Sequence, residues 1–102
     1  FFSGLSDEQA QKYYDLLSPE SPQVVKEIIE YQVDVDLSKI QVPSLLIVGD
    51  QDTLCPKEQC LKLAQAIGAD TEVFEGWGHN IALNPDWEKA ARTITDWLAE
   101  KE

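Results

Sequence analysis

Two short stretches near the start of the chain repeat apolar residues at the spacing of an α-helix. A capping-box sequence over residues 6–9 precedes the first stretch, which predicts a helix over residues 7–17. Ser18-Pro19 ends this helix, and Ser21-Pro22 supplies the cap and first-turn proline of a second helix that reaches about Tyr31. The two helices are expected to form a hairpin. The residues that follow, 33–42, keep no period and are interpreted as an exposed linker with room for a short helical turn.

The pattern changes at Leu45–Val48, an uninterrupted apolar run that Gly49 closes. A run without polar alternation is typical of a strand covered on both faces in a parallel sheet. A helix is predicted from Pro56 to Gly68, then a short strand over residues 71–74, and a last helix capped by Asn84-Pro85. The order strand, helix, strand, helix predicts an α/β fold with a parallel sheet.

The charge balance narrows the choice of partners. The 102 residues include 8 basic and 19 acidic side chains, a net charge of −11 that repels phosphate backbones and anionic lipid surfaces. We therefore expect no nucleic acid and no membrane partner, and no apolar run reaches the roughly 20 residues that span a bilayer. The start of the chain lacks a secretory signal pattern, so a cytoplasmic protein is expected. The sequence contains no Met, which indicates a fragment, a processed product or a chain whose first residues are missing.

Asp52 and His79 each lie just past a predicted strand. Strands joined by a right-handed helical crossover run parallel, so both end at the same edge of the sheet, where the sites of open α/β folds lie. Neighbouring strands are about 4.8 Å apart, so the two loops can bring a carboxylate and an imidazole within hydrogen-bond reach. A carboxylate that accepts from one ring nitrogen fixes the tautomer, and the other nitrogen can then take a proton from a nucleophile.

The same two loops resemble the motifs of a known family. The acid loop of α/β-hydrolases typically reads G-x-x-D-x-x-x-P, which Gly49 to Pro56 match, and Gly76-Trp77-Gly78-His79 is similar to their histidine loop. The resemblance covers roughly residues 40–100. It implies that the chain is the C-terminal part of an α/β-hydrolase fold, with Asp52 as the triad acid and His79 as the triad base.

The resemblance also implies a division of the chain. Residues 1–40 would be the remnant of a helical cap with its linker, and residues 41–102 the C-terminal portion of the hydrolase core. The cap of this family usually precedes this part of the chain and borders the substrate. Tyr13, Tyr14 or the pair Phe1-Phe2 would then lie near an apolar substrate.

The nucleophile elbow of the family, G-x-S-x-G between a strand and a helix, is absent from the sequence, because none of the six serines has the required glycines. Ser44 comes nearest to a sheet, but it stands at the start of a strand, opposite the site. The oxyanion hole uses the amide after the nucleophile and is missing with it. The implied function is the C-terminal portion of a serine-type hydrolase that cleaves an ester, amide or related acyl bond of a small apolar substrate, inactive without its N-terminal part. No cofactor and no metal is expected.

Other interpretations of these residues stay open. Asp50 competes for the acid role, although the family pattern favours Asp52, three positions after the glycine. A metal site of Asp50, Asp52 and His79 is disfavoured because no fourth ligand is defined. Cys55 would need the elbow and an adjacent oxyanion site to act as a nucleophile. Cys60 is expected in the core.

Trp77 could touch a ligand, although packing is the ordinary role of a tryptophan. For the whole chain, the alternative function is a non-catalytic interaction or self-associating module, because two parallel strands leave a sheet edge unpaired and would seek the missing part or a second copy. An unrelated flavodoxin-like fold is a third possibility, but it would leave the glycine-flanked His79 without a purpose.

Overall fold

The computed structural model describes residues 1–30 and 34–102. Its regular elements, in chain order, are α1 (Asp7–Asp15), α2 (Pro22–Ile29), β1 (Leu45–Gly49), α3 (Lys57–Ile67), β2 (Asp70–Phe74) and α4 (Trp87–Glu100). Single 3₁₀ turns lie at Leu37–Lys39, within the predicted linker, and at Ile81–Leu83. Every predicted helix and strand is therefore present.

The ends of the elements differ from the prediction by a few residues. Helix α1 stops short of residue 17 because the amides of Leu16 and Leu17 bond the carbonyls three residues back, each at 3.1 Å, which tightens the last turn. The predicted end of α2 at Tyr31 lies outside the described residues. Strand β2 gains Asp70, whose amide donates to Ser44 O at 2.9 Å.

The first two helices lie mostly on the surface. The Ser6 hydroxyl accepts from the Gln9 amide and the Gln9 side chain accepts from the Ser6 amide, which completes the predicted capping box. Neither α1 nor α2 buries a side chain, and the main packing contacts of the described residues do not join the two helices, so the structure does not show the closely packed hairpin that was expected. Leu16 and Ile29 are 74% and 67% exposed.

The two strands pair in parallel, in a register that runs from Leu45 opposite Asp70 to Gly49 opposite Phe74. Helices α3 and α4 both pack on β1, whose last two residues are buried, whereas β2 is exposed along most of its length. The protein thus has the partial α/β fold that the sequence predicted.

The buried core is small. In the part of the chain that the structure describes, the buried apolar side chains are those of Val48, Ala64, Trp77 and Ala90. Within residues 1–30 and 34–102, none of the helices has both the length and the apolar character needed to cross a lipid bilayer.

Candidate active site

The acid loop and the histidine loop leave the sheet side by side. Because Gly49 and Phe74 are partners in the parallel register, the residues that follow them start at the same edge of the sheet. The backbone ladder continues past the strands: Asp50 N donates to Phe74 O at 3.1 Å, and Gln51 N donates to Trp77 O at 2.9 Å. The two loops are therefore held together before any side chain contributes.

Gly49 allows this close approach because it has no side chain. A Cβ atom built on it would lie 2.5 Å from the carbonyl oxygens of both Trp77 and Gly78. Both neighbours are backbone atoms and cannot rotate away, so only glycine fits under the histidine loop.

Asp50 makes a further link between the loops. Its Oδ1 accepts a hydrogen bond of 2.7 Å from the amide of Gly76. Gly76 has a φ of 81°, a left-handed conformation that favours glycine and turns the chain toward His79. Of the two candidate acids, Asp50 thus holds the backbone of the histidine loop.

The carboxylate that contacts the imidazole is that of Asp52, as the sequence predicted for a shared edge. Its Oδ2 lies 2.9 Å from His79 Nδ1, across 27 positions of sequence. The other oxygen, Oδ1, accepts from the amides of Leu54 at 2.9 Å and Cys55 at 2.8 Å. These local bonds fix the carboxylate in the turn, and the turn presents Oδ2 to the ring.

The surroundings keep Asp52 ionised. Its side chain is only 9% exposed, against 31% for His79. Burial by itself raises the pKa of Asp52, but the amide of Cys55, the hydrogen bond and charge of His79 and the amide of Leu54 together lower it below the usual 3.8. A charged acceptor therefore faces Nδ1, which favours the tautomer with its proton on Nδ1 and an unprotonated Nε2.

The first residues of the chain pack onto the histidine loop. Gly78 N donates to Ser3 O at 3.2 Å, and Asn80 N donates to Phe1 O at 3.4 Å. The Phe1 ring lies 5.2 Å from the imidazole of His79, centroid to centroid, at an interplanar angle of 30°. An aromatic wall of Phe1, Phe2 and Tyr13 therefore continues from the imidazole. The ring centroids of Phe1 and Phe2 are 5.0 Å apart, and those of Phe2 and Tyr13 are 6.4 Å apart.

The remaining candidate residues have different surroundings. The Trp77 ring is buried and stacks on Phe74 with centroids 4.4 Å apart, so its role is packing. Trp87, the first residue of α4, is 50% exposed. Ser44 lies at the far end of the strands, as expected.

Cys55 and Cys60 are free thiols. Cys60 is half-buried and donates to Cys55 O at 3.4 Å, and burial, with Cys55 and Asp52 nearby, raises the pKa of its thiol. Cys55 is exposed, and its Sγ lies within 4.8 Å of ligand atoms of Asp52 and His79. No sequence motif predicts either the approach of Cys55 to Asp52 and His79 or the Asp50–Gly76 hydrogen bond.

A strand-edge carboxylate bonded to an imidazole on a parallel α/β frame is the arrangement that the resemblance to α/β-hydrolases implied. The family model described as "Serine hydrolase (FSH1)" matches residues 1–89 of the chain. The chain belongs to this family, and therefore to the α/β-hydrolase superfamily.

Curated relatives point to the same superfamily. The non-heme chloroperoxidase CPO-A1 of Kitasatospora aureofaciens is 39% identical over 66 residues, which are 62% of this chain and 24% of that protein. The mouse monoacylglycerol lipase ABHD6 is 32% identical over 78 residues, 76% of this chain and 23% of the lipase. The chain thus spans about a quarter of the length of these relatives. No solved structure matches it.

Proposed function

We propose that this chain supplies the acid and the base of a catalytic triad to a serine hydrolase, with Asp52 as the acid and His79 as the base. The observation that carries the proposal is the 2.9 Å contact between Asp52 Oδ2 and His79 Nδ1 at the carboxyl edge of two parallel strands. A lowered pKa at Asp52 adds support, because the orienting carboxylate of a triad must stay charged throughout the reaction.

Each atom of the pair has a defined part in the proposed mechanism. Neutral His79 donates Nδ1–H to Asp52, and its Nε2 takes the proton of a serine hydroxyl as the serine attacks the acyl carbon. The imidazolium that forms is stabilised by the Asp52 carboxylate. His79 then returns the proton from Nε2 to the leaving group, and a water molecule repeats the sequence to release the acid.

The serine and the oxyanion hole come from outside these residues in this proposal, because the sequence has no G-x-S-x-G. We accordingly propose that residues 41–102 are the C-terminal portion of a hydrolase core and that the chain is inactive without an N-terminal part. An apolar cavity of about 370 Å³ beside β1 supports a missing part of the core, because the side chains that line it are of the kind usually buried. Ile47, Trp87 and Ile94 are among them.

The substrate we propose is a small apolar ester, amide or related acyl compound. Its support is the aromatic wall of Phe1, Phe2 and Tyr13, which would border the acyl group next to His79. In this proposal, residues 1–40 are the remaining part of a helical cap together with its linker. The name of one relative, a monoacylglycerol lipase, is in keeping with an apolar acyl ester. The two free thiols favour a cytoplasmic location.

Fluorophosphonate labelling of the natural full-length protein tests the proposal. We expect covalent labelling of a serine in the wild type and its loss in His79→Ala. Asp70→Asn is the matched control, because Asp70 lies at the opposite end of the sheet and its loss should leave labelling unchanged. A folded wild-type protein that resists the reagent, or a His79→Ala variant that labels at the wild-type rate, would overturn the proposed roles.

A self-associating module is the second candidate, favoured by the exposed apolar side chains of α2, such as Ile28 and Ile29 at 62% and 67% exposure. Sedimentation of the purified chain distinguishes the two. A stable monomer with native-like unfolding would contradict self-association, whereas a concentration-dependent dimer would support it.

A further inference from the structure

The structure brings a sulfur atom to the Asp52–His79 pair. The carboxylate of Asp52, the ring nitrogen of His79 and the thiol of Cys55 each offer one ligand atom, and these atoms all lie within 4.8 Å of one another. The metal set considered from the sequence used Asp50 as its third member. Asp50 instead accepts the Gly76 amide at 2.7 Å, and an exposed thiol takes the third position.

The three atoms suit one soft divalent cation. Zn²⁺ binds imidazole nitrogen and carboxylate oxygen at about 2.0–2.2 Å and thiolate sulfur at about 2.3 Å. Oδ2 and Nδ1, 2.9 Å apart, can share a metal at these lengths with an angle at the metal close to a right angle. The backbone of Cys55 is fixed, since its amide donates to Asp52 Oδ1 at 2.8 Å, but its exposed side chain can rotate to close the remaining distance. Water can fill the fourth position because His79 is partly exposed.

We propose that Asp52, Cys55 and His79 form a binding site for Zn²⁺ or Cd²⁺, and that the bound cation switches off the general base. Binding itself does not depend on the proposed hydrolase function; only the inhibition rests on it. The Cys55 thiol loses its proton to solvent as the metal–sulfur bond forms. The Nδ1 proton is also lost to solvent as the metal bonds Nδ1, and Nε2 takes up a proton from solvent, so the neutral ring carries its single proton on Nε2.

This change of tautomer explains why the cation would inhibit. Nε2 is the atom that must accept the proton of the nucleophile, and with a proton already on it the ring has no lone pair to offer. The metal would also take Asp52 Oδ2 away from Nδ1. One cation thus reverses the arrangement that the Asp52–His79 bond sets up, without displacing either residue from its loop.

Cys60 provides the matched control. It is the other thiol of the chain, but it is half-buried, donates to Cys55 O at 3.4 Å and is outside the three-residue group. A Cys60→Ser variant removes one thiol, as Cys55→Ser does, while leaving all three proposed ligands in place.

The first experiment titrates Cd²⁺ into the natural full-length protein and follows the ultraviolet charge-transfer absorption of a cadmium–thiolate bond. We expect the band in the wild type and in Cys60→Ser, and its loss in Cys55→Ser. His79→Gln should weaken Cd²⁺ binding at least about tenfold, which corresponds to about 1.4 kcal/mol. A wild type without the band, or a band that survives in Cys55→Ser, would overturn the site.

The second experiment separates failure of this site from failure of the proposed function. We expect Zn²⁺ to slow fluorophosphonate labelling reversibly, with a chelator restoring it, and Cys55→Ser to need at least about tenfold more Zn²⁺ for the same effect. A protein that binds Cd²⁺ through Cys55 but never labels has the metal site without the hydrolase function. Labelling that is indifferent to Zn²⁺ in a protein that binds it would refute the switch.

Discussion

The carboxylate of Asp50 accepts a hydrogen bond of 2.7 Å from the backbone amide of Gly76, 26 residues further along the chain. Asp52, two residues on from Asp50, holds the imidazole of His79 at 2.9 Å. The two carboxylates therefore have separate roles in one loop. One joins the acid loop to the backbone of the histidine loop, and the other orients the ring at its end.

Asp50→Ala should loosen the histidine loop. The substitution leaves the Gly76 amide without its acceptor, and we expect the free energy of unfolding to fall by about 1–2 kcal/mol in urea denaturation. Asp50→Asn keeps an oxygen at the Oδ1 position and should recover most of that loss. Equal losses in the two variants would mean that the charge of Asp50, rather than its bond to Gly76, stabilises the fold.

Gly49→Ala adds only one methyl group, but it should destabilise the fold strongly. The added Cβ would lie 2.5 Å from two backbone carbonyls, and the Trp77 side chain, stacked on Phe74, keeps that backbone from retreating. We expect a loss of about 3 kcal/mol in unfolding free energy and a displaced His79.

Gly68→Ala is the matched control for this glycine. Gly68 has a φ of 67°, but a Cβ there meets nothing within 4 Å, so only the left-handed backbone opposes alanine, at about 1–2 kcal/mol. The two variants are compared by chemical denaturation and by the imidazole NMR signals of His79, the single histidine of the chain. His79 signals that stay the same in Gly49→Ala would contradict the packing explanation.

The meeting of Asp52 and His79 was predictable because it depends on topology. A buried apolar run, a helical crossover and a second strand allow one parallel arrangement, and both residues follow a strand in it. The same logic rejected Ser44 as a site residue, since it precedes β1.

The contacts around that pair were not predictable, because each depends on the path of a short loop. The bond from Gly76 to Asp50 joins a side chain to a backbone amide, and such a bond leaves no periodic signal. The approach of Phe1 to His79 depends on how residues 1–3 cross the histidine loop. Cys55 lies beside the pair in a turn that its own amide closes onto Asp52 Oδ1.

Acid should destabilise the fold partly through Asp52. Its pKa is lowered in the folded state, so the contribution of its charge is complete above the unfolded value of about 3.8 and is lost as pH falls through the lower folded value. Asp52→Asn has no group to titrate. We therefore expect its unfolding free energy to fall less steeply than that of the wild type as pH drops below 3.8. Urea midpoints across the acid range measure this, and parallel curves would contradict it.

In the natural full-length protein, Asp52→Asn should also remove the orientation of the His79 ring while leaving the fold of the acid loop in place. The asparagine can keep an oxygen toward the amides of Leu54 and Cys55, so the turn should persist. It then presents an NH₂ group to the ring, which favours the tautomer with its proton on Nε2 and removes the base. We expect kcat for an apolar ester to fall by about 10⁴-fold with KM nearly unchanged. Asp70→Asn, at the other end of the sheet, should retain wild-type kcat, and a drop of less than about tenfold in Asp52→Asn would show that His79 acts without this carboxylate.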